Sequence, residues 1–530
     1  MESLKIIANA YIITCDPQNR GGRYNLLIRK GRIAEVSDRL DLFTSLHPYA
    51  TVIDASNKLI IPGFVNAHFH SESLLLRART DGLHYALWKN DLRFQECAKG
   101  LLDPLNHDDL RNLYLMSYFS HLKSGTTTVA EFSLPLNDKA FGHMLHAIER
   151  TEVRSVVALQ NWDQITKARE PGSGRHRFVL NAGREEDFNV YGFENLIRSA
   201  RELKVPMLAH VAEQRADVEL VRRNFQKTIL GVLQDYTVVS PETVFVHLNH
   251  LSSSEVEVLA DCGATVVVCA WSGALKRTGY PALRQLAAQR IRLANGTDWA
   301  NVDMLAELKF LQQLHLLISS IPPFSPLQLV RMATVNGAHA LGLSHETGSI
   351  EAGKKADLTF FSLADMRLPV ISEFADAESL ASLLVNHLNT RDVTDVMIDG
   401  EFYVAQGHVM TMAEEEVVDG FRRTYAKYHE DEAKKIPPPP LLAIEGPLTR
   451  AKHKVLPFVA QGRAAQPLEE GFESGFQPVE KPPTLIEIRT SNINVEPPTQ
   501  TPPATTKESP RPRQEPSKEI WRTFGDDEEF

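Results

Sequence analysis

Two histidines one residue apart, His68 and His70, close the apolar run "IPGFVNAHFH". In an extended strand, residues i and i+2 point to the same side, so both imidazoles can face one place. Three more apolar runs end in groups of the same chemical kind. "VPMLAHVAE" ends with His210 and Glu213, "VFVHLNHL" with His247 and His250, and "IRLANGTD" with Asp298. Neutral imidazole nitrogen and carboxylate oxygen are the donors that zinc or iron takes. A single histidine at a strand end is ordinarily a core or surface group, and the chain has 19 of them. Four strand ends carrying such groups together point to a metal site.

Eight apolar, β-rich runs lie between about 58 and 345: "LIIPGFVNAHFH", "TTTVAEF", "VRSVVALQ", "RFVLNAG", "VPMLAHVAE", "VFVHLNHL", "ATVVVCAW" and "IRLANGTD". Helical patterns such as "FENLIRSARELK" and "PALRQLAAQR" separate most of them. Alternating apolar strands and helices imply a parallel sheet covered on both faces. Eight repeats imply an α/β fold with a closed TIM-like (β/α)8 barrel, in which chemistry sits at the C-terminal strand ends. Short alternating strands over 1–57 and 346–412 predict a small β-sandwich domain built from both ends of this core. A helical extension is expected over 413–436. The stretch 437–530 holds 17 of the 30 prolines and reads as a Pro-rich disordered tail.

Composition removes several function classes. The chain of 530 residues carries a formal net charge of -10, which argues against nucleic acid as a partner. No run approaches 18 uninterrupted apolar residues, so no membrane span is expected. The N-terminal "MESLKIIANAYIITCDPQNR" has no basic segment leading into an apolar one, so a secretory signal is not expected. The 4 cysteines form no CxxC pair, which fits a reduced, cytoplasmic setting. No GxxxxGK[ST] phosphate loop and no GxSxG nucleophile elbow occurs.

"PGFVNAHFH", "GTTTVAEF", "HVAE" and "NGTDWANVDMLAELK" resemble the amidohydrolase superfamily. The nearest branch is the cytosine deaminase, S-adenosylhomocysteine deaminase and chlorohydrolase group. The resemblance runs on through "ATVNGAHALGL" and "GSIEAGKKADLTFF" and covers about 1–412. It implies one divalent metal, zinc or else iron, held by His68, His70, His210 and Asp298. The fourth strand offers no lysine placed to bridge two metals. It also implies that Glu213 is a proton shuttle, that His247 orients the water and that Asp298 takes its proton. The implied reaction is hydrolytic deamination of a small nitrogen heterocycle such as a purine, pyrimidine, pterin or triazine. Two alternatives stay open: hydrolysis of another C–N, amide or C–Cl bond by the same site, and a non-enzymatic scaffold. A homo-oligomer is implied by resemblance alone.

The chain departs from that group around the substrate. "CAWSGAL" stands where the group reads CPxSN, placing Ala270, Trp271 and Gly273 there, and Trp299 follows the aspartate. "LNAGREEDFNVYGF" replaces a Pro-His dipeptide before the fifth strand. Trp88, Trp162, Trp271 and Trp299 all fall near strand ends or in the first long loop, and indole faces stack on planar rings. Trp299, Trp271 and Trp88, with Arg77 (and its neighbour Arg79) for an anionic group, are the candidate substrate contacts. The C-terminal "EIWRTFGDDEEF" offers a possible docking segment for a protein partner.

Overall fold

The computed structural model describes residues 4–80, 83–88, 91–103, 106–132, 136–159, 174–185, 198–299, 301–318, 324–364 and 375–429. Trp162, the side chains of Arg77 and Arg79, and the stretch 437–530 lie outside the described residues.

The chain begins with β1 (Leu4–Ile13), β2 (Gly21–Arg29), β3 (Arg32–Ser37), β4 (Thr51–Asp54) and β5 (Lys58–Pro62). Eight strands follow: β6 (Phe64–Phe69), β7 (Thr126–Glu131), β8 (Arg154–Leu159), β9 (His176–Asn181), β10 (Met207–Val211), β11 (Thr243–His247), β12 (Thr265–Val268) and β13 (Arg292–Asn295). The last four are β14 (Leu358–Ser362), β15 (Val393–Ile398), β16 (Glu401–Ala405) and β17 (His408–Val409).

The eight middle strands pair in sequence order from β6 to β13, all parallel. The ring closes where the Asp298 N–H donates to the His68 carbonyl at 2.9 Å and Phe69 bridges to Asp298. One apolar cluster takes a residue from every barrel strand, including Val65, Ala130, Val156, Val179, Leu208, Val246, Val267 and Ala294. A second cluster joins the opposite strand faces to the surrounding helices. Each strand is therefore apolar on both sides, as the unbroken runs required.

Strands from both ends of the core share one mixed sheet, in the order β17-β16-β15-β14-β5-β1-β2-β3 with β4 on β1. Its two faces carry separate clusters, one around Ile7, Ile12 and Phe360 and the other around Ile6, Leu27 and Phe43. The run "LIIPGFVNAHFH" makes two strands rather than one. Lys58–Pro62 pairs antiparallel with β14, and Phe64–Phe69 enters the barrel. Gly63 divides them, because a side chain there would collide with Thr127. Buried Arg154 of β8 ties sheet to barrel through Asp357 at 3.0 Å and Asp399 at 2.9 Å.

The helix Glu414–His429 falls within the stretch expected to be helical and packs on the helix His107–Lys123. Among the described residues, no helix is long and apolar enough to cross a membrane. The four cysteines form no disulfide among the described residues.

Candidate metal centre

His68 lies in β6, His210 in β10, His247 ends β11 and Asp298 follows β13, so four strands deliver their polar groups to one end of the barrel. The delivery is not plain alternation. Between Asn66 and Phe69, β6 carries one more residue than β7, a bulge at the rim of the ring. Ala212, His247, Leu248 and Asp298 all have positive φ, between 48° and 78°. Left-handed backbone is costly for such residues and collects at functional sites.

The "NGTD" turn is fixed against β6. Asn66 donates to the Thr297 hydroxyl at 2.8 Å and accepts from the Thr297 N–H at 3.1 Å. A Cβ at Gly296 would stand 2.7 Å from the Cβ of His68, so glycine permits the approach that sets Asp298 beside the histidines.

His68 Nε2 lies 3.1 Å from His210 Nε2 and 3.3 Å from Asp298 Oδ1. His70 Nε2 lies 3.5 Å from the same oxygen. Donor atoms around a tetrahedral ion at about 2.0–2.1 Å stand roughly 3.4 Å apart, which matches this spacing. Among the described residues, buried Asp298 Oδ1 accepts no hydrogen bond and neither ring nitrogen of buried His247 has a hydrogen-bond partner. Buried polar atoms are rarely left so. The set fits a divalent cation. Burial holds the His68 imidazole down to about 3 and His247 to about 4, and pushes His210 well below the usual range. All three are neutral and ready to ligate. Glu72 Oε1 sits 3.4 Å from His70 Nδ1, on the side of the ring away from Asp298 Oδ1. The fourth barrel strand, β9, contains no lysine.

Glu213 Oε2 lies 3.6 Å from His247 Nε2. His250 is in none of the groups whose ligand atoms converge. Two cations that sequence reasoning missed reach the same carboxylates. Lys276 Nζ, buried, donates to Asp298 Oδ2 at 2.5 Å and Glu213 Oε1 at 2.9 Å. Arg184 donates to Glu213 Oε2 at 2.6 Å. Ser272 donates to Asp298 Oδ2 at 2.6 Å. Burial opposes ionisation of Asp298 and Glu213, but Lys276 on both, joined by Arg184 at Glu213, outweighs it and holds both low.

Trp299 lies 5.8 Å from the His70 ring and 5.2 Å from Trp88, ring centre to ring centre, so both tryptophans border the site. Trp271 does not join them. It stacks on Phe310 of the helix Met304–Ile318 at 5.8 Å. A separate cavity of about 660 Å³ opens at the N-terminal ends of β10 to β12, lined by Met207, Thr243 and Thr265, at the far end of the strands from His210 and His247.

The sequence model of the amidohydrolase family matches residues 59–403. The chain is 30% identical over 381 residues to a 5-methylthioadenosine/S-adenosylhomocysteine deaminase of Moorella thermoacetica, spanning 69% of this chain and 86% of that one. It is 26% identical to a 5'-deoxyadenosine deaminase of Methanosarcina mazei, over 78% of this chain and 96% of that one. Its fold resembles that of a zinc-bound adenosine deaminase from Xanthomonas campestris, with a TM-score of 0.70, 21% identity and coverage of 80% and 98%. It likewise resembles atrazine chlorohydrolase from Arthrobacter aurescens complexed with zinc, with a TM-score of 0.71, 20% identity and coverage of 79% and 100%.

Proposed function

The chain belongs to the amidohydrolase family, and on that premise we propose that it is a metal-dependent hydrolase that deaminates a small nitrogen heterocycle. The approach of His68 to His210, and of both His68 and His70 to Asp298, at ligand spacing carries this reading. These four would hold one divalent ion, zinc in this reading, which lowers the pKa of water and supplies hydroxide near neutral pH.

The chain's own residues do the rest. His247, whose ring nitrogens have no hydrogen-bond partner among the described residues, orients the attacking oxygen and steadies charge that develops on it. Asp298 receives the proton that water gives up. Its Oδ2 is aimed by Ser272 and Lys276. Glu213, ionised at rest, takes that proton on and carries it to the ring nitrogen next to the attacked carbon, then carries the proton left on the attacking oxygen to the departing amine. Water and an amino-heterocycle become an oxo-heterocycle and ammonia. Trp299 and Trp88 supply apolar faces for the planar ring. The relatives named as deaminases of adenosine derivatives support an amine as the leaving group.

The test is an ammonia-release screen of metal-loaded protein over purines, pyrimidines, pterins and triazines, with Glu213→Gln as background. Ammonia above that background supports the reading. Release of chloride or of an amide product, with no ammonia from any member, overturns it.

A further inference from the structure

The helix His107–Lys123 carries none of the groups assigned to the site, yet it grips the chain on both sides of the first histidine pair. His121, in its last turn, is fully buried. Its Nδ1 stands 2.9 Å from the Ser117 carbonyl oxygen, and its Nε2 stands 3.1 Å from Nδ2 of Asn66. A carbonyl oxygen only accepts, so Nδ1 carries the proton and Nε2 accepts from the Asn66 amide. Burial holds this imidazole down to about 4, which keeps it neutral and in that tautomer.

The Asn66 amide is thereby used in full. Its Nδ2 donates to His121 and to the Thr297 hydroxyl, and its Oδ1 accepts from the N–H groups of Thr297 and His68. Turned over, the amide would set its oxygen against the His121 lone pair and its own N–H groups against two other donors. Asn66 precedes His68 by two residues, and Thr297 immediately precedes Asp298. One amide, oriented by His121, therefore fixes the main chain of two ligands.

Ser117 makes the matching contact after the pair. Its hydroxyl lies 2.7 Å from that of Ser71, the residue that follows His70. Glu131, at the end of β7, holds Ser71 from another side, accepting from its N–H at 3.0 Å and from its hydroxyl at 2.6 Å. Between the two contacts, the Phe69 ring packs edge-on against His121 at 4.5 Å, centre to centre. Ser117 and His121 are four residues apart and so share one helix face. Asn66, Ser71, Ser117, His121, Glu131 and Thr297 are all fully buried. Buried networks whose members are satisfied rigidify what they touch.

We propose that His121 and Ser117 are positioning residues of the metal centre: by gripping Asn66, Phe69 and Ser71 from one helix face, they hold the His68 and His70 imidazoles at ligand distance from Asp298. This rests on the metal-dependent reading of the site. Neither residue is among the groups whose ligand atoms converge, so both act through the chain that carries the ligands.

The test measures zinc affinity of metal-stripped full-length protein by competition with a chelating dye, beside the visible absorption of the cobalt-loaded form, whose bands report ligand geometry. His121→Phe should weaken zinc binding by about tenfold or more and alter the cobalt bands. His121→Gln, whose amide oxygen can accept from Asn66 in place of Nε2, should stay within about threefold of wild type and keep its spectrum. Asn66→Ala should weaken zinc at least as much as His121→Phe, and adding His121→Phe to it should weaken zinc no further, because both changes break one link. Ser117→Ala removes a single oxygen atom and carries the test where the Phe variant does not fold. It should weaken zinc by about threefold or more, with the melting temperature of the stripped protein within a few degrees of the parent. Unaltered zinc binding in His121→Phe or in Ser117→Ala overturns the proposal, as does a Gln variant as weak as the Phe one or an additive loss in the double variant. The two readings fail separately. Zinc weakened as expected, with no ammonia from any heterocycle, sinks only the deaminase reading. Ammonia release with zinc binding unaltered in the variants sinks only this one.

Discussion

His68 and Asp298 are joined twice. The Asp298 N–H donates to the His68 carbonyl at 2.9 Å, and His68 Nε2 stands 3.3 Å from Asp298 Oδ1. The first contact closes the barrel and the second belongs to the ligand set, so the strand pairing that completes the fold also spaces the metal donors.

Asp298→Asn keeps the main-chain contact and removes the carboxylate. The folded state should survive, with a melting temperature within a few degrees of the parent once both are stripped of metal. Turnover should fall by about 10³-fold or more. Parallel melting curves and ammonia assays check this, and an active Asn variant would contradict it.

Glu72→Gln tests the contact behind His70. Removing the carboxylate charge beside the ring should lower metal affinity by roughly 10–100-fold. Competition with a metal-sensitive chelating dye reads the change directly. An unaltered affinity would mean that His70 is not oriented from behind.

Glu213→Gln should retain its full metal complement and lose about 10²–10⁴-fold in turnover, because proton transfer is removed while the ligand set is left alone. Metal analysis beside steady-state rates separates this from a binding defect.

Much of the site was legible because its chemistry sits where strand periodicity can be read. His68, His210, His247 and Asp298 each follow an apolar run, and the ring of eight strands brings their ends together whatever the helices do. The split at Gly63 was not legible, since both halves of "LIIPGFVNAHFH" are equally apolar and only the approach of Thr127 divides them. Lys276 gave no signal. It is the last residue of a short helix, where a lysine is ordinarily solvated, and only the fold turns it into the barrel mouth. Trp271 differs again. Its position after β12 suggested the site, but its ring packs on Phe310.

Gly296→Ala tests the close approach at the barrel seam. A methyl group 2.7 Å from His68 Cβ must push β6 and the Asp298 turn apart. Overpacking of this kind costs about 1–3 kcal/mol. Denaturant unfolding should show that loss together with weakened metal binding. A variant unchanged in both would place no constraint at the seam.

Glu307 predicts a pH effect on stability. Burial raises its carboxyl to about 8, and it accepts hydrogen bonds from the N–H groups of Ala270 and Trp271. In the unfolded chain a glutamate titrates near ~4.3. The folded protein therefore keeps a proton that the unfolded chain has lost across this window. The contribution to stability is complete below the lower value and fades as pH rises through the upper one, with a slope of up to about 1.4 kcal/mol per pH unit. Glu307→Gln, which stays neutral, should lose less stability than wild type between pH 5 and 8. Parallel stability curves would contradict the assignment.

The most direct measurement titrates zinc into metal-stripped full-length protein while ammonia is followed over the heterocycle panel. Ammonia release should be absent without metal, rise with each addition, and level off at one equivalent per chain, with His68→Asn giving none at any ratio. Release that is undiminished in the stripped protein, or that needs two equivalents, would contradict a single-metal deaminase built on His68, His70, His210 and Asp298.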